Sequence, residues 1–218
     1  MSNREDAARW TDDFISELAV LQLGRTFNFY ADDVDGIDRP GGSAIRRENL
    51  RRYLNERLPR CRILLIGEAP GYRGWRFTGI PFMAERTMST ENRSSLHPDG
   101  WAEISATIVT RTLRDLGIED ETVRWATVPL HPAQPGKPLT NRTPVSAEVR
   151  EGVQWANRLL TGAQPAIVLA VGRIAQRQFP GAVAIRHPAH GGATEFREGL
   201  EAVFGDRGGF SEEKVQGI

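Results

Sequence analysis

Three segments of the sequence hold residue types that can do chemistry. The first is GEAPGYRGWRFTGIPF, residues 67–82, which follows a short apolar run and places one acid, Glu68, at its first turn. Gly67, Gly71, Gly74 and Gly79 let its backbone bend and pass close to a ligand. It has neither the GxGxxG spacing nor a Gly-Lys followed by Ser or Thr, so a nucleotide-phosphate loop is not expected. Glu68 suits two readings, an acid acting on a substrate at a sheet edge or a surface glutamate capping a helix. The second segment is RHPAHGG, residues 186–192. His187 there is either a donor to a developing anion or a cap for nearby backbone. The His187–His190 pair straddles Pro188 and has no third ligand nearby in sequence, so no metal site is expected. The third is PLHPAQPGKPLTNRTP, residues 129–144, a proline-stiffened path in which Lys137 and Arg142 either meet phosphates or stand as solvated charges. Aromatic and basic residues interleave in the first segment as Tyr72, Arg73, Trp75, Arg76, Phe77 and Phe82. That mixture suits base stacking beside phosphate contact, and equally the anchoring of a long loop.

The elements that must position these segments are readable from periodicity. Residues 3–20 predict a helix, with Trp10, Phe14, Leu18 and Leu21 at helical spacing. Residues 31–44 are turn-rich, and a basic helix over 44–57 ends at Pro59. The mostly apolar runs 61–67 and 166–172 predict buried strands, with a second strand at 123–128 and a short fourth at 183–186. Helices are expected over 99–116 with Asp99 as N-cap, from Ser146 to about 160, and over 193–204. The strands alternate with helices or loops, which implies a parallel sheet covered on both faces. Ligands of such sheets sit at the carboxyl ends of the strands, where all three segments fall.

Composition narrows the classes further. The chain has 218 residues, an expected single domain with a helical N-terminal extension over 1–58 and a polar tail from about 205 to 218. The 28 basic residues are balanced by 28 acidic ones, so any nucleic-acid partner needs a local basic face. The one cysteine, Cys61, cannot build an internal disulfide or an all-cysteine cluster. No apolar run is long enough for a membrane span, and the charged N-terminus is no secretory signal. A cytoplasmic protein is expected.

Taken together, the segments resemble the uracil-DNA glycosylase superfamily over roughly residues 60–200. The likeness rests on three ordered motifs: GEAPG with GIPF after the first strand, NRTP in the middle, and HPAHGG after the last strand. The resemblance implies a three-layer α/β/α fold with a central four-stranded parallel sheet. It implies a monofunctional glycosylase that flips uracil from single- or double-stranded DNA and hydrolyses the N-glycosidic bond, acting as a monomer without metal or other cofactor. By position, Glu68 is similar to the acid that supports the sugar cation, and His187 to the histidine that bonds the departing base. Gly67, Ala69, Pro70 and Gly71 are placed to wall the base and Phe82 to stack on it. Arg142 and Thr143 are placed on phosphate, and His190, Gly191 and Gly192 on the loop that enters the minor groove. The iron–sulfur branch carries four cysteines, so no cluster is expected. Relatives read the uracil edge with an asparagine near the end of the second strand, where this chain has Ala126 and Thr127. Thr127, backbone amides or a loop residue then reads the base. Another branch excludes thymine with a tyrosine where Gly71 stands, and Tyr72 is the neighbouring candidate. Three alternatives stay open: a glycosylase for hypoxanthine or mismatched thymine, a binding-only member, and a hydrolase of small nucleosides with the same fold.

Overall fold

The computed structural model describes residues 4–205. Two helices come first, α1 (Arg4–Ala19) and α2 (Gly42–Arg57). After them the chain runs β1 (Ile63–Gly67), α3 (Trp75–Thr78), α4 (Ile104–Asp115), β2 (Thr122–Ala126), α5 (Ser146–Ala163), β3 (Ile167–Val171), α6 (Arg173–Gln178), β4 (Val183–Ile185) and α7 (Ala193–Phe204). The four strands form one all-parallel sheet in the order β2-β1-β3-β4. Within β1 the side chains alternate between two cores. Leu64 and Ile66 join Val123, Trp125, Phe14 and Trp155 on one face. Ile63 and Leu65 join Val109, Leu113, Phe196 and Leu200 on the other. A strand buried on both faces reads as a continuous apolar run, which is why these strands show in the sequence. The result is the expected three-layer α/β/α fold.

Chain order reverses at β1, whose neighbours are β2 on one side and β3 on the other. That switch point opens a crevice outside the carboxyl ends of the strands. Two short helices, α3 and α6, fall where the sequence suggested only loop. The first turn of α4 is also later than expected: its N-cap is Glu103, not Asp99. The polar tail lies outside the described residues from 206 on.

The aromatic and basic residues of the first segment are largely core rather than platform. Arg76 is fully buried and bonds both carboxylate oxygens of Asp38, at 2.5 and 2.8 Å. Arg46, also buried, donates to Asp38 and to Asp33. Buried charge is tolerated here because each cation meets a carboxylate in good geometry. Trp75 donates to the Tyr30 hydroxyl, which donates to Gly79 O, and Phe77 stacks on Trp101. This network ties the connection between α1 and α2 to the loop after β1. Cys61 is buried, with its thiol pushed up to about 11 by desolvation, so it is a packing residue and a poor nucleophile.

Candidate active site

Gly67 closes β1 and Glu68 opens the loop above it. Parallel pairing continues one step past the strands. The N–H of Thr127 donates to Gly67 O at 2.9 Å and that of Val128 to Glu68 O at 3.0 Å. The Thr127 hydroxyl donates to the same Gly67 oxygen at 3.0 Å, and the residue is wholly buried. Thr127 is therefore not at the base-reading edge, contrary to one of the sequence readings; its hydroxyl secures the root of the loop. Ala126 is buried beside it.

Pro70, two residues beyond Glu68 in that loop, is held from below. His131, fully buried, places Nδ1 2.9 Å from Pro70 O. A carbonyl only accepts, so Nδ1 carries the proton, and Nε2 is left without a partner. Phe27 clamps the His131 backbone, its N–H donating to His131 O at 2.8 Å and its O accepting from His131 N at 3.1 Å. Burial drives the His131 pKa down from 6.5 to about 4. Between those values the unfolded chain takes up a proton that the folded chain refuses. Stability thus falls as pH falls from 6.5 towards 4, by about 3 kcal/mol from this residue. His131→Asn keeps a donor for Pro70 and is expected to flatten that decline in urea midpoints measured between pH 7 and 4. An unchanged slope would assign the decline to other groups.

A cleft of about 1280 Å³ opens at the switch point. Its walls are Glu68, Ala69, Pro70 and Gly71 after β1, Glu103 before α4, and Asn141, Arg142, Thr143 and Pro144 after β2. Arg150 of α5, Gly172 and Arg173 after β3, Arg177 of α6, and Arg186, His187 and His190 after β4 complete it. The structure thus brings Glu68 and His187, distant in sequence, to one cavity. Burial raises the Glu68 pKa, opposed by the positive charge of Arg173. His187 is shifted down, first by burial and then by Arg186 and His190, and is neutral at pH 7. Its Nδ1 accepts the Ala189 N–H at 3.1 Å. The proton of the neutral ring is therefore on Nε2, which is the donor left for a ligand. Gly192 is needed here because a Cβ would lie 2.3 Å from His187 O.

Other predicted residues fall elsewhere. Phe82 lies with its ring against Gly67 and is not among the cleft walls. Its backbone is in the left-handed region at φ 50°, held by Arg124 and Thr110 donating to its carbonyl. Such strain in a non-glycine residue is typical of sites under functional constraint. Tyr72 also lies off the walls, edge-on to Trp101 with its hydroxyl accepting from Arg73. Arg142 is the clearest correction. Both terminal nitrogens bond Glu148 at 2.7 Å and its Nε donates to Ala133 O, so its charge is spent inside the protein and is not free for phosphate. Glu148 also accepts the Arg25 and Val145 N–H groups. Lys137 is exposed at a loop tip away from the walls. Thr143, His190 and Gly191 are exposed, whereas Gly192 is buried under His187 and does not face outward.

The positive charge of the cleft comes from residues the sequence reading passed over. Arg150, Arg173, Arg177 and Arg186 are exposed, and among the described residues none forms an ion pair with a carboxylate. Arg142 is held by a carboxylate, and among the described residues these four are not. A neutral chain therefore still presents a local basic face at its site.

A family model described as the uracil DNA glycosylase superfamily matches residues 55–206. The chain belongs to that superfamily. It is a DNA glycosylase by family, a hydrolase whose substrate polymer is DNA. The crystal structure of wild-type SMUG2 from Pedobacter heparinus is similar to this glycosylase, with a TM-score of 0.63 and 16% identity over 90% of this chain and 97% of that one. At that identity the likeness concerns the fold. No curated protein matches the chain. Among the described residues of the glycosylase, no three His, Cys, Asp or Glu side chains converge as metal ligands, and no helix is long and apolar enough to cross a membrane.

Proposed function

We propose that this glycosylase removes uracil from DNA by hydrolysis, with Glu68 and His187 as its catalytic residues. The observation that carries the reading is the pairing of a carboxylate and a neutral Nε2–H donor on the walls of one cleft. When the N-glycosidic bond breaks, its electron pair goes to the base and the sugar becomes cationic. A carboxylate beside the sugar and a donor beside the base oxygen each stabilise one pole, and both do so more strongly in the transition state than in the substrate. Water adds to the sugar carbon and its proton leaves to solvent or to the base. A neutral imidazole suits the donor's part, because it meets the developing anion without holding a charge in the ground state. Arg150, Arg173, Arg177 and Arg186 are assigned to the phosphates flanking the extruded nucleotide. No lysine lies on the cleft walls as a Schiff-base nucleophile, which favours hydrolysis without strand cleavage.

The test is incubation with labelled single- and double-stranded oligonucleotides holding one uracil, in EDTA, followed by alkali. Cleavage at the uracil that depends on alkali is expected. Cleavage without alkali would overturn the monofunctional assignment, and intact oligonucleotides would overturn the uracil assignment. One observation favours a second substrate: no amide side chain stands at the end of β2, so oligonucleotides with hypoxanthine or mismatched thymine belong in the same experiment.

A further inference from the structure

Three buried or cleft-facing carboxylates near the site have very different surroundings. Glu85 accepts the N–H groups of Ser94, Ser95 and Trp101 and the Ser95 hydroxyl. Glu148 holds Arg142 and two backbone amides. Glu103 has no donor and no cation against it among the described residues. It occupies the N-cap position of α4, yet its side chain makes no capping bond. It turns instead onto the loop after β1. Oε1 lies 2.7 Å from where a Cβ of Gly71 would be, and Oε2 1.7 Å from where a Cβ of Gly74 would be. The carboxyl group thus occupies the space that side chains at both glycines would take, and it faces the same cleft as Glu68 and His187.

A half-buried carboxyl group that lies on a pocket wall with no protein donor or cation against it is free to meet a partner that arrives from outside. We propose that Glu103 is the specificity-determining residue that reads the extruded base, pairing with an edge on which a carbonyl and an N–H lie side by side. Uracil presents such an edge. The inference rests on the assignment of this cleft as the base pocket. Desolvation pushes the Glu103 pKa from 4.5 up to about 7, so near neutral pH the group retains its proton in a large share of molecules. In that form one oxygen donates to the base carbonyl and the other accepts the base N–H, which is the double bond an amide makes. No amide stands at the end of β2 to do this. Asn141, one of the amides on the cleft walls, commits its side-chain oxygen to the Tyr72 N–H at 3.0 Å, and Gln176 commits its Nε2 to Ile185 O at 2.9 Å.

The test is binding, so that it does not depend on turnover. The probe is an oligonucleotide carrying 2′-fluoro-2′-deoxyuridine, which resists hydrolysis, compared with the same oligonucleotide methylated at N3 of the base. The wild-type protein is expected to prefer the unmethylated probe by about 10- to 100-fold, the range for a lost hydrogen-bonded pair in a desolvated site. Glu103→Gln keeps both a donor and an acceptor and should keep the preference. Glu103→Ala should lose it while binding undamaged DNA as before. No preference in the wild type, or an undiminished preference in Glu103→Ala, overturns the inference. Loss of preference in Glu103→Gln also overturns it, since that variant is isosteric on the two glycines. A preference in a protein that releases no base would defeat the catalytic assignment and leave this one standing.

Discussion

His187→Ala is expected to slow base release by about 10²- to 10³-fold in single turnover, the range seen when one preorganised donor to a developing anion is removed. The expectation follows from how the ring is held. The Ala189 N–H fixes Nδ1 as the acceptor, so Nε2–H is committed to the cleft before any substrate arrives. A Cβ on Gly172 would lie 3.4 Å from His187 Cβ, so the loop after β3 packs directly under the residue. Little reorganisation is then needed at the moment of bond cleavage, and the loss should fall on the chemical step and not on DNA affinity. The depressed pKa adds a second expectation: the neutral donor persists below pH 6.5, so the wild-type rate should show no step at an ordinary histidine pKa. Single-turnover rates over a pH series measure both. An unchanged rate in His187→Ala would remove the residue from the mechanism.

Glu68→Gln is expected to cost on the order of 10²-fold in the same assay while leaving the protein folded, because it removes the negative charge and retains the shape. The carboxylate works only when ionised. Burial raises its pKa above the usual 4.5, so the acid-side loss of activity should begin at higher pH than for an exposed glutamate. Arg173 is the group that pulls the value down. Arg173→Ala should therefore move the acid limb to still higher pH, and because Arg173 also faces the cleft, it should weaken DNA binding at low salt. A pH–rate profile of Arg173→Ala that superimposes on the wild type would separate Arg173 from Glu68. A Glu68→Gln enzyme with full activity would leave the sugar cation without a protein counter-charge.

The central sheet was legible because β1 and β3 are continuous apolar runs, which leaves little choice of element, and β2 is a short, fully buried run beside them. The order of the strand-end motifs was legible too, and so Glu68 and His187 could be paired across 119 positions of sequence. Partners were not legible. Arg142 carries the same charge as Arg150, and only the fold shows that one is consumed by Glu148 and the other is not. Glu103 was hidden by a boundary. A helix assumed to run from residue 99 makes it one more acid in a first turn; a helix that begins at Ile104 releases it to face the loop. Thr127 sat at the right position in the chain but with its hydroxyl on Gly67, which depends on strand register.

The stretch around Phe27 lies well outside the family match, which begins at residue 55. Its backbone nevertheless pairs with His131, the residue that holds Pro70, and the Arg25 amide caps the same Glu148 that holds Arg142. Two walls of the pocket are thus splinted by chain that the family pattern does not include. The catalytic unit of this protein is not separable at its recognisable boundary. A fragment cut there, or a chimera given a foreign N-terminal segment, would keep every motif residue and lose the brace that sets the distance between the first loop and the cavity it serves.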